Sequence, residues 1–320
     1  MDIRNRQGLK TAAADALACS PNHKKLVLLW AGICSALPLL ASVISFMLDH
    51  QIAGTGGLSG IGLRSILSTA QLLFTIATSV VLPFWTMGYT AAVLGFSRKE
   101  PVGYPTLLEG FRRFGPVLRL MLLEILLYAA ICFLCVQLGS TLLSFTPLAD
   151  PVYQVLNDSQ LLSGVVDETT LQAVTDAMMP ILIICGILCV IVLIPVTYRL
   201  RLADLYIMDV PGCGARQAIR GSLRLMRGNC VSLFRLDLSF WWFYLATVVL
   251  NLLCYGDVIF PMLGITLPFS ADTAYFVFYV AALLAQFLLL YFFSNQVQTT
   301  YALFYGTLRT PPKEETSIIV

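Results

Sequence analysis

The chain is 320 residues long, 58% hydrophobic and only 12% charged, with a formal net charge of +2. A soluble domain carries about 25% charge, so this composition excludes an ordinary soluble fold, and so small a net charge gives no sign of a nucleic-acid partner. The expectation is an integral membrane protein in which the placement of charge matters more than its sum.

Residues 1–25 carry Arg4, Arg6, Lys10, Lys24 and Lys25 around an Ala-rich stretch, Ile3 to Ala18, that can form a short amphipathic helix. A first apolar span follows from Leu26 to Leu48. It outruns a signal-peptide h-region and ends in no A-x-A site, which predicts a retained membrane helix. The polar stretch 49–66 contains GTGGLSG, Gly54 to Gly60, without the Gly-Lys-Ser/Thr ending of a phosphate loop, so it reads as a connector. The second span, Leu67 to Phe96, exceeds the ~20 residues needed to cross, and Pro83 predicts a kink or tilt. Beyond Arg98 and Lys99, the residues Leu107, Leu108, Phe111 and Phe114 share one helical face beside Arg112 and Arg113. Gly115-Pro116 then predicts a break before the third span, Leu118 to Phe145.

From Pro147 to Ala177 the chain holds Asp150, Asp158, Asp167, Glu168 and Asp176 and no lysine or arginine. The fourth span starts near Met178 and stays helical in pattern to about Met208, with Pro195 marking a kink. Between Ala215 and Arg227 the apolar residues Ala215, Ala218, Ile219, Leu223 and Met226 recur at spacings of three and four, and Arg216, Arg220, Arg224 and Arg227 follow on a neighbouring face. Such a helix can lie in the headgroup layer with its guanidinium groups on anionic lipids. A fifth span, Leu233 to Tyr255, and a sixth, from Ala274 through Phe293 into NQVQTTYALFYG, complete the pattern. The loop between them carries Asp257 and Asp272.

Of the twenty basic residues, nineteen fall on one side of this threading and only Arg64 on the other. The positive-inside rule then puts both termini in the cytoplasm. An amphipathic helix, a breaker, an outward span and a returning span recur with starts near residues 3, 105 and 214. The expected fold is therefore an all-α membrane protein of six spans in three helical hairpins. Residues 1–25 form an N-terminal cytoplasmic segment, 26–308 the membrane domain and 309–320 a cytoplasmic tail.

Charges in apolar spans cost ~2.5–3.5 kcal/mol each even on lenient scales, so they point to function or to locked pairs. Here they are Arg119, Glu124, Arg235 and Asp237. Neither same-helix spacing closes a pair, which predicts Glu124 with Arg235, or Arg119 with Asp237, across the third and fifth spans. Arg201 and Asp204 are spaced to pair locally. Cys132, Cys135, Cys185 and Cys189 have ligand-like spacing but no histidine within a span to join them, so they read as packing residues, and no metal or cofactor is expected. Asn251 and Gln286 can bond between helices. No catalytic motif is present.

The stretch from Tyr198 to Leu245 resembles a bacterial family of multipass membrane proteins, domain-of-unknown-function family nine-seven-five. The resemblance is carried by Ile194-Pro195, Tyr198, Asp209-Val210-Pro211, Ser222 to Gly228, Phe234 to Phe240 and the closing Phe304-Tyr305. Trp241-Trp242-Phe243 stands where the family has Gly-Trp, and Asn295-Gln296 where it has Pro-Tyr. The resemblance implies a shared fold, similar in style to the membrane domain attached to some glycerophosphodiester phosphodiesterases, and no established activity. The functional expectation is a non-enzymatic protein that handles or senses lipid or a small amphipathic solute, or assists a protein partner or a second copy of itself. A small secondary transporter and an intramembrane enzyme are the competing readings.

Overall fold

The computed structural model describes residues 5–52, 58–147, 150, 152–153, 168–262 and 271–309. Among them the regular structure is helical. The first part of the chain forms α1 (Arg6–Ala18), α2 (His23–Ile52), α3 (Leu58–Ser97), a 3-10 turn (Tyr104–Leu108), α4 (Glu109–Arg112) and α5 (Phe114–Leu143). The second part forms α6 (Glu168–Leu200), α7 (Ala203–Asp209), α8 (Ala215–Met226), α9 (Cys230–Leu238), α10 (Trp241–Leu253) and α11 (Gly256–Met262). The chain ends in α12 (Ala271–Leu289), a π-helical turn (Leu290–Ser294) and α13 (Asn295–Arg309).

Among the described residues five stretches are helical, long and apolar enough to cross a bilayer: His23–Ile44, Ser68–Ser97, Phe114–Leu143, Met178–Asp209 and Thr273–Arg309. The expected fifth span, Leu233 to Tyr255, is instead broken between α9 and α10, which are bent by 71° and make a sixth crossing only if counted as one. The break is held by side chains from elsewhere. Lys10 Nζ donates to the Ser239 carbonyl at 2.8 Å and lies 4.0 Å from the centroid of the Phe240 ring, while Arg6 donates to the Arg235 carbonyl. Carbonyls freed at a helix end need such donors. Burial pushes the Lys10 ammonium below its usual pKa, and Arg6 adds to the shift.

Several other boundaries move. The N-terminal helix begins at Arg6, where Asn5 Oδ1 accepts from Gly8 N at 2.9 Å; residues 1–4 lie outside the described ones. Its buried residues Leu9, Ala13, Ala16 and Leu17 give it a protein-facing side, and its neighbours are α13 and α3. Helices α2 and α3 shorten the expected connector at 49–66, of which residues 53–57 lie outside the described ones. Likewise Glu168 and Asp176, expected in an outer loop, belong to α6, whereas Asp158 and Asp167 lie outside the described residues. Helix α6 runs through Pro195 to Leu200, and after a turn at Arg201-Leu202 the apolar stretch goes on as α7 to Asp209, so the pattern expected to about Met208 is interrupted only there.

The helix expected around Leu107 to Phe114 is a 3-10 turn followed by the single turn of α4. Glycines explain how it sits so near α3. A Cβ on Gly88 would lie 1.8 Å from the Leu107 carbonyl oxygen, and one on Gly110 would lie 1.9 Å from that of Phe84. Leu107 is buried and Leu108 exposed, so the predicted common face is divided. Gly115-Pro116 does not break the chain but opens α5, where a proline's missing N–H has no intrahelical partner to lose.

Helix α2 packs on α3, α5 on α6 and α10 on α12. The core gathers at one end of these helices. Leu26, Phe84, Tyr89, Phe96, Leu107, Leu120, Leu202, Ile207, Met226, Phe304 and Tyr305 are all buried there. The long helices beyond that end expose leucine, isoleucine and phenylalanine, among them Leu73, Leu126, Phe133, Ile183 and Ile191. That is the distribution expected where lipid is the solvent.

Candidate functional site

Helix α8 follows a turn in which Gly212 takes φ +71°, a conformation that costs glycine least. It buries Ala215, Ala218, Ser222 and Met226. Ser222 Oγ donates to the Arg199 carbonyl at 2.7 Å, satisfying an end carbonyl of α6. A Cβ on Gly221 would meet the Tyr206 ring at 2.6 Å, so the helix is docked closely on α7. Leu223, expected on one face with Ala215, Ala218 and Met226, is 42% exposed where those three are buried. The hydroxyl wins the inner position because an acceptor waits for it.

This docking turns Arg216, Arg220 and Arg224 toward α5. Together with Arg119, Leu122, Leu123 and Leu126 of α5 they line a cleft of about 930 Å³. No hydrogen bond or ion pair engages any of these four arginines among the described residues. Like charges four apart on a helix repel by about 0.2–0.5 kcal/mol per pair, so the stripe is held at a cost that an anion would relieve. Arg227 is not part of it. Its backbone (φ −63°, ψ 112°) has left the helix, and it lines a separate hollow with Arg199, Leu223 and Met226.

The intramembrane charges are arranged differently from the expected pairs. Arg119 belongs to the cleft, and among the described residues neither Glu124 with Arg235 nor Arg119 with Asp237 forms an ion pair. Glu124 instead lies within electrostatic reach of Asp204. Arg235 is exposed. Asp237 accepts from Tyr198 at 2.7 Å and from Tyr301, so two tyrosines stand where an arginine was expected. Tyr301 also bonds Tyr244, which receives Arg201 Nη2 at 3.0 Å. Arg201 lies in the turn after α6 and Asp204 in the first turn of α7, so the two are not one helical turn apart, and Asp204 Oδ1 is buried without a hydrogen-bond partner among the described residues.

A second carboxylate, not singled out by its sequence position, anchors three helix ends. Asp209, with a side chain only 1% exposed, pairs with Arg98 after α3 and Arg309 at the end of α13, and accepts from Tyr305 at 2.8 Å. Arg113 closes the neighbouring carbonyls, donating to Ile207 at 2.9 Å and Met208 at 3.0 Å. The motif residues are thus partners of one another: Tyr198 with Asp237, Asp209 with Tyr305, and Ser222 with the end of α6. A protein-family model described as "Protein of unknown function (DUF975)" matches residues 1–311. The chain belongs to that family. No curated protein and no solved structure matches it.

The two departures of this DUF975 protein from the pattern of the resemblance fall where the helices are irregular. Trp241-Trp242 opens α10 just after the 71° break, and Asn295 follows the π-helical turn. Asn295 Oδ1 accepts from Tyr89 at 2.7 Å and its Nδ2 donates to the His23 carbonyl at 3.4 Å, bonds a proline could not make. The Cys132 and Cys189 sulfurs are 3.2 Å apart across α5 and α6. Asn251 bonds within its own helix, to the Thr247 carbonyl at 2.7 Å, and among the described residues Gln286 Oε1 is buried without a hydrogen-bond partner.

Proposed function

We propose that this DUF975 protein is a non-enzymatic, six-span protein of the bacterial plasma membrane that holds the anionic headgroup of a membrane amphiphile in the cleft between α5 and α8. The observation that carries this reading is the convergence of Arg119, Arg216, Arg220 and Arg224 on one cleft that has no carboxylate among its described lining residues, beside Leu122 and Leu126, which are 56% and 66% exposed. Guanidinium groups suit phosphate oxygens in shape and charge. The leucines would take the start of an acyl chain. Nineteen basic residues on one side of the threading support an orientation with both termini in the cytoplasm, which sets the cleft at the inner leaflet. The packing of α2 on α3, α5 on α6 and α10 on α12 supports three hairpins.

The test uses the full chain in nanodiscs of phosphatidylcholine mixed with phosphatidylglycerol, with bound lipid read by native mass spectrometry. Wild type should retain phosphatidylglycerol in excess of its share, and changing the four arginines to glutamine should return retention to that share. Equal retention of both lipids by wild type would refute the proposal and leave the cleft as a surface for a protein partner.

A further inference from the structure

Helix α7 contributes Tyr206 to the arginine cleft, whereas Asp204, in its first turn, belongs to the wall of a second cavity of about 280 Å³. This cavity lies between α2, α3, α7 and α13, and its wall includes Trp30, Arg201, Gln298 and Tyr301. Two wall residues carry unanswered polar atoms: Asp204 Oδ1, an acceptor, and Trp30 Nε1, a donor, are both buried and have no hydrogen-bond partner among the described residues. Leaving such atoms unpaired is costly, and most buried polar groups in native proteins avoid it. The indole has been fixed rather than left loose, since its ring stacks on Tyr89 at 4.1 Å and the Trp30 carbonyl accepts from Trp85 Nε1 at 3.4 Å. Arg201 spends one of its five N–H donors on Tyr244 and places its guanidinium 5.2 Å from the Tyr301 ring centre, so further donors remain.

The wall therefore offers a negative acceptor, a neutral donor and a positive group with spare donors. A simple anion would answer Trp30 and Arg201 but meet the Asp204 carboxylate. A simple cation would answer Asp204 but meet Arg201 and leave the indole N–H unpaired. A ligand bearing both charges answers all three. The volume lies just below the ~300–1,000 Å³ range of sites for drug-sized ligands, which limits the ligand to something small. We propose that this cavity binds a small zwitterion of amino-acid size, with its ammonium on Asp204 and its acid group on Trp30 Nε1 and Arg201. This site is independent of the arginine cleft and does not rest on a lipid being bound there.

The full chain in detergent is screened for thermal stabilisation by each of the twenty standard amino acids, and binding of any that stabilises is titrated calorimetrically. The expected result is saturable binding of at least one, weakened tenfold or more by Asp204→Asn and by Trp30→Phe. Its decarboxylated amine and its deaminated acid should each bind at least tenfold less tightly. Ligand-free Asp204→Asn should melt no lower than wild type, because it removes a buried charge that has no hydrogen-bond partner; should that variant fail to fold, Trp30→Phe carries the comparison. No stabilisation by any amino acid, equal binding of the amine alone, or binding that survives the substitutions would overturn the proposal.

Discussion

Asp209 is the place where one atom's charge holds the most structure, and replacing it with asparagine keeps the shape while removing the charge. In wild type, Asp209 is 1% exposed and its partners Arg98 and Arg309 are 44% and 45% exposed. Removing one member of a buried pair costs about 3–5 kcal/mol when the survivor stays buried. Here the surviving guanidinium groups are half in solvent and can rehydrate, which discounts their share. The Tyr305 hydroxyl cannot move out so easily, since Tyr305 is 1% exposed. Its weakened bond and the loss of two charge-assisted contacts give about 2–4 kcal/mol for Asp209→Asn. By contrast, Arg98→Gln and Arg309→Gln each leave the carboxylate one arginine and Tyr305, and each should cost about 1 kcal/mol. Both together should cost more than their sum, because Asp209 is then buried with a tyrosine alone. Unfolding by SDS titration in mixed micelles measures all four variants. An Asp209→Asn loss no larger than that of Arg98→Gln would refute the reasoning, since it would mean that the carboxylate is not the shared member.

Other outcomes follow from the same contacts. Tyr198→Phe and Tyr301→Phe each leave Asp237 one donor, so each should destabilise by about 1 kcal/mol and the double variant by distinctly more than the sum in the same titration. Gly88→Ala and Gly110→Ala would each put a Cβ within 2 Å of a backbone carbonyl oxygen and should cost about 3 kcal/mol or more, or lower folded yield on gel filtration; wild-type behaviour would refute the close packing of the 104–112 segment on α3. For the orientation, reporter fusions after Gln51 and Asp158 should read as exterior, and those after Lys99 and Asn229 as cytoplasmic. One inverted site would remove the six-span reading.

Much of the helical content was legible because lipid as solvent demands long apolar runs, and such runs need no knowledge of partners. The 71° break after Leu238 was not. Phe234 to Phe243 contains no proline or glycine, and the donors that hold the turn, Lys10 and Arg6, lie more than 200 residues away. The same limit explains the cleft. Periodicity found Arg216, Arg220 and Arg224 on one face, but only packing brings Arg119 to them, and only the extended backbone at Arg227 removes that residue. Spacing also put Leu223 on one face with Ala215, Ala218 and Met226, whereas Ser222 takes the inner position, because a serine with a waiting carbonyl is a good inner residue. One signal was available and went unread. Tyr198, Asp209 and Tyr305 belong to the short stretches that carry the family resemblance, far apart in sequence, and tyrosines and aspartates withdrawn from solvent satisfy one another.

The arginines of this chain divide into those with partners and those without, and that division can be tested at one residue. Arg98 and Arg309 meet Asp209, Arg112 and Arg113 meet Glu109, and Arg201 meets Tyr244, while the side chains of the four in the cleft form no hydrogen bond or ion pair among the described residues. A scaffold that needed only to hold α8 against α5 could have neutralised the stripe with one carboxylate. Gln217 already lines the cleft, three residues before Arg220 and next to Arg216. Gln217→Glu would supply that charge with almost no change of shape. It should relieve repulsion in the ligand-free protein by about 0.2–0.5 kcal/mol through its pairing with Arg220, and so raise stability slightly. Each basic group near an anionic surface contributes about 1 kcal/mol, so cancelling one charge should lower the preference for phosphatidylglycerol by about fivefold. The two effects have opposite sign, which separates a binding site from a structural seam. Raised stability with an unchanged lipid preference would mean that the arginines repel one another for no ligand's benefit, and the anionic amphiphile would have to be sought elsewhere.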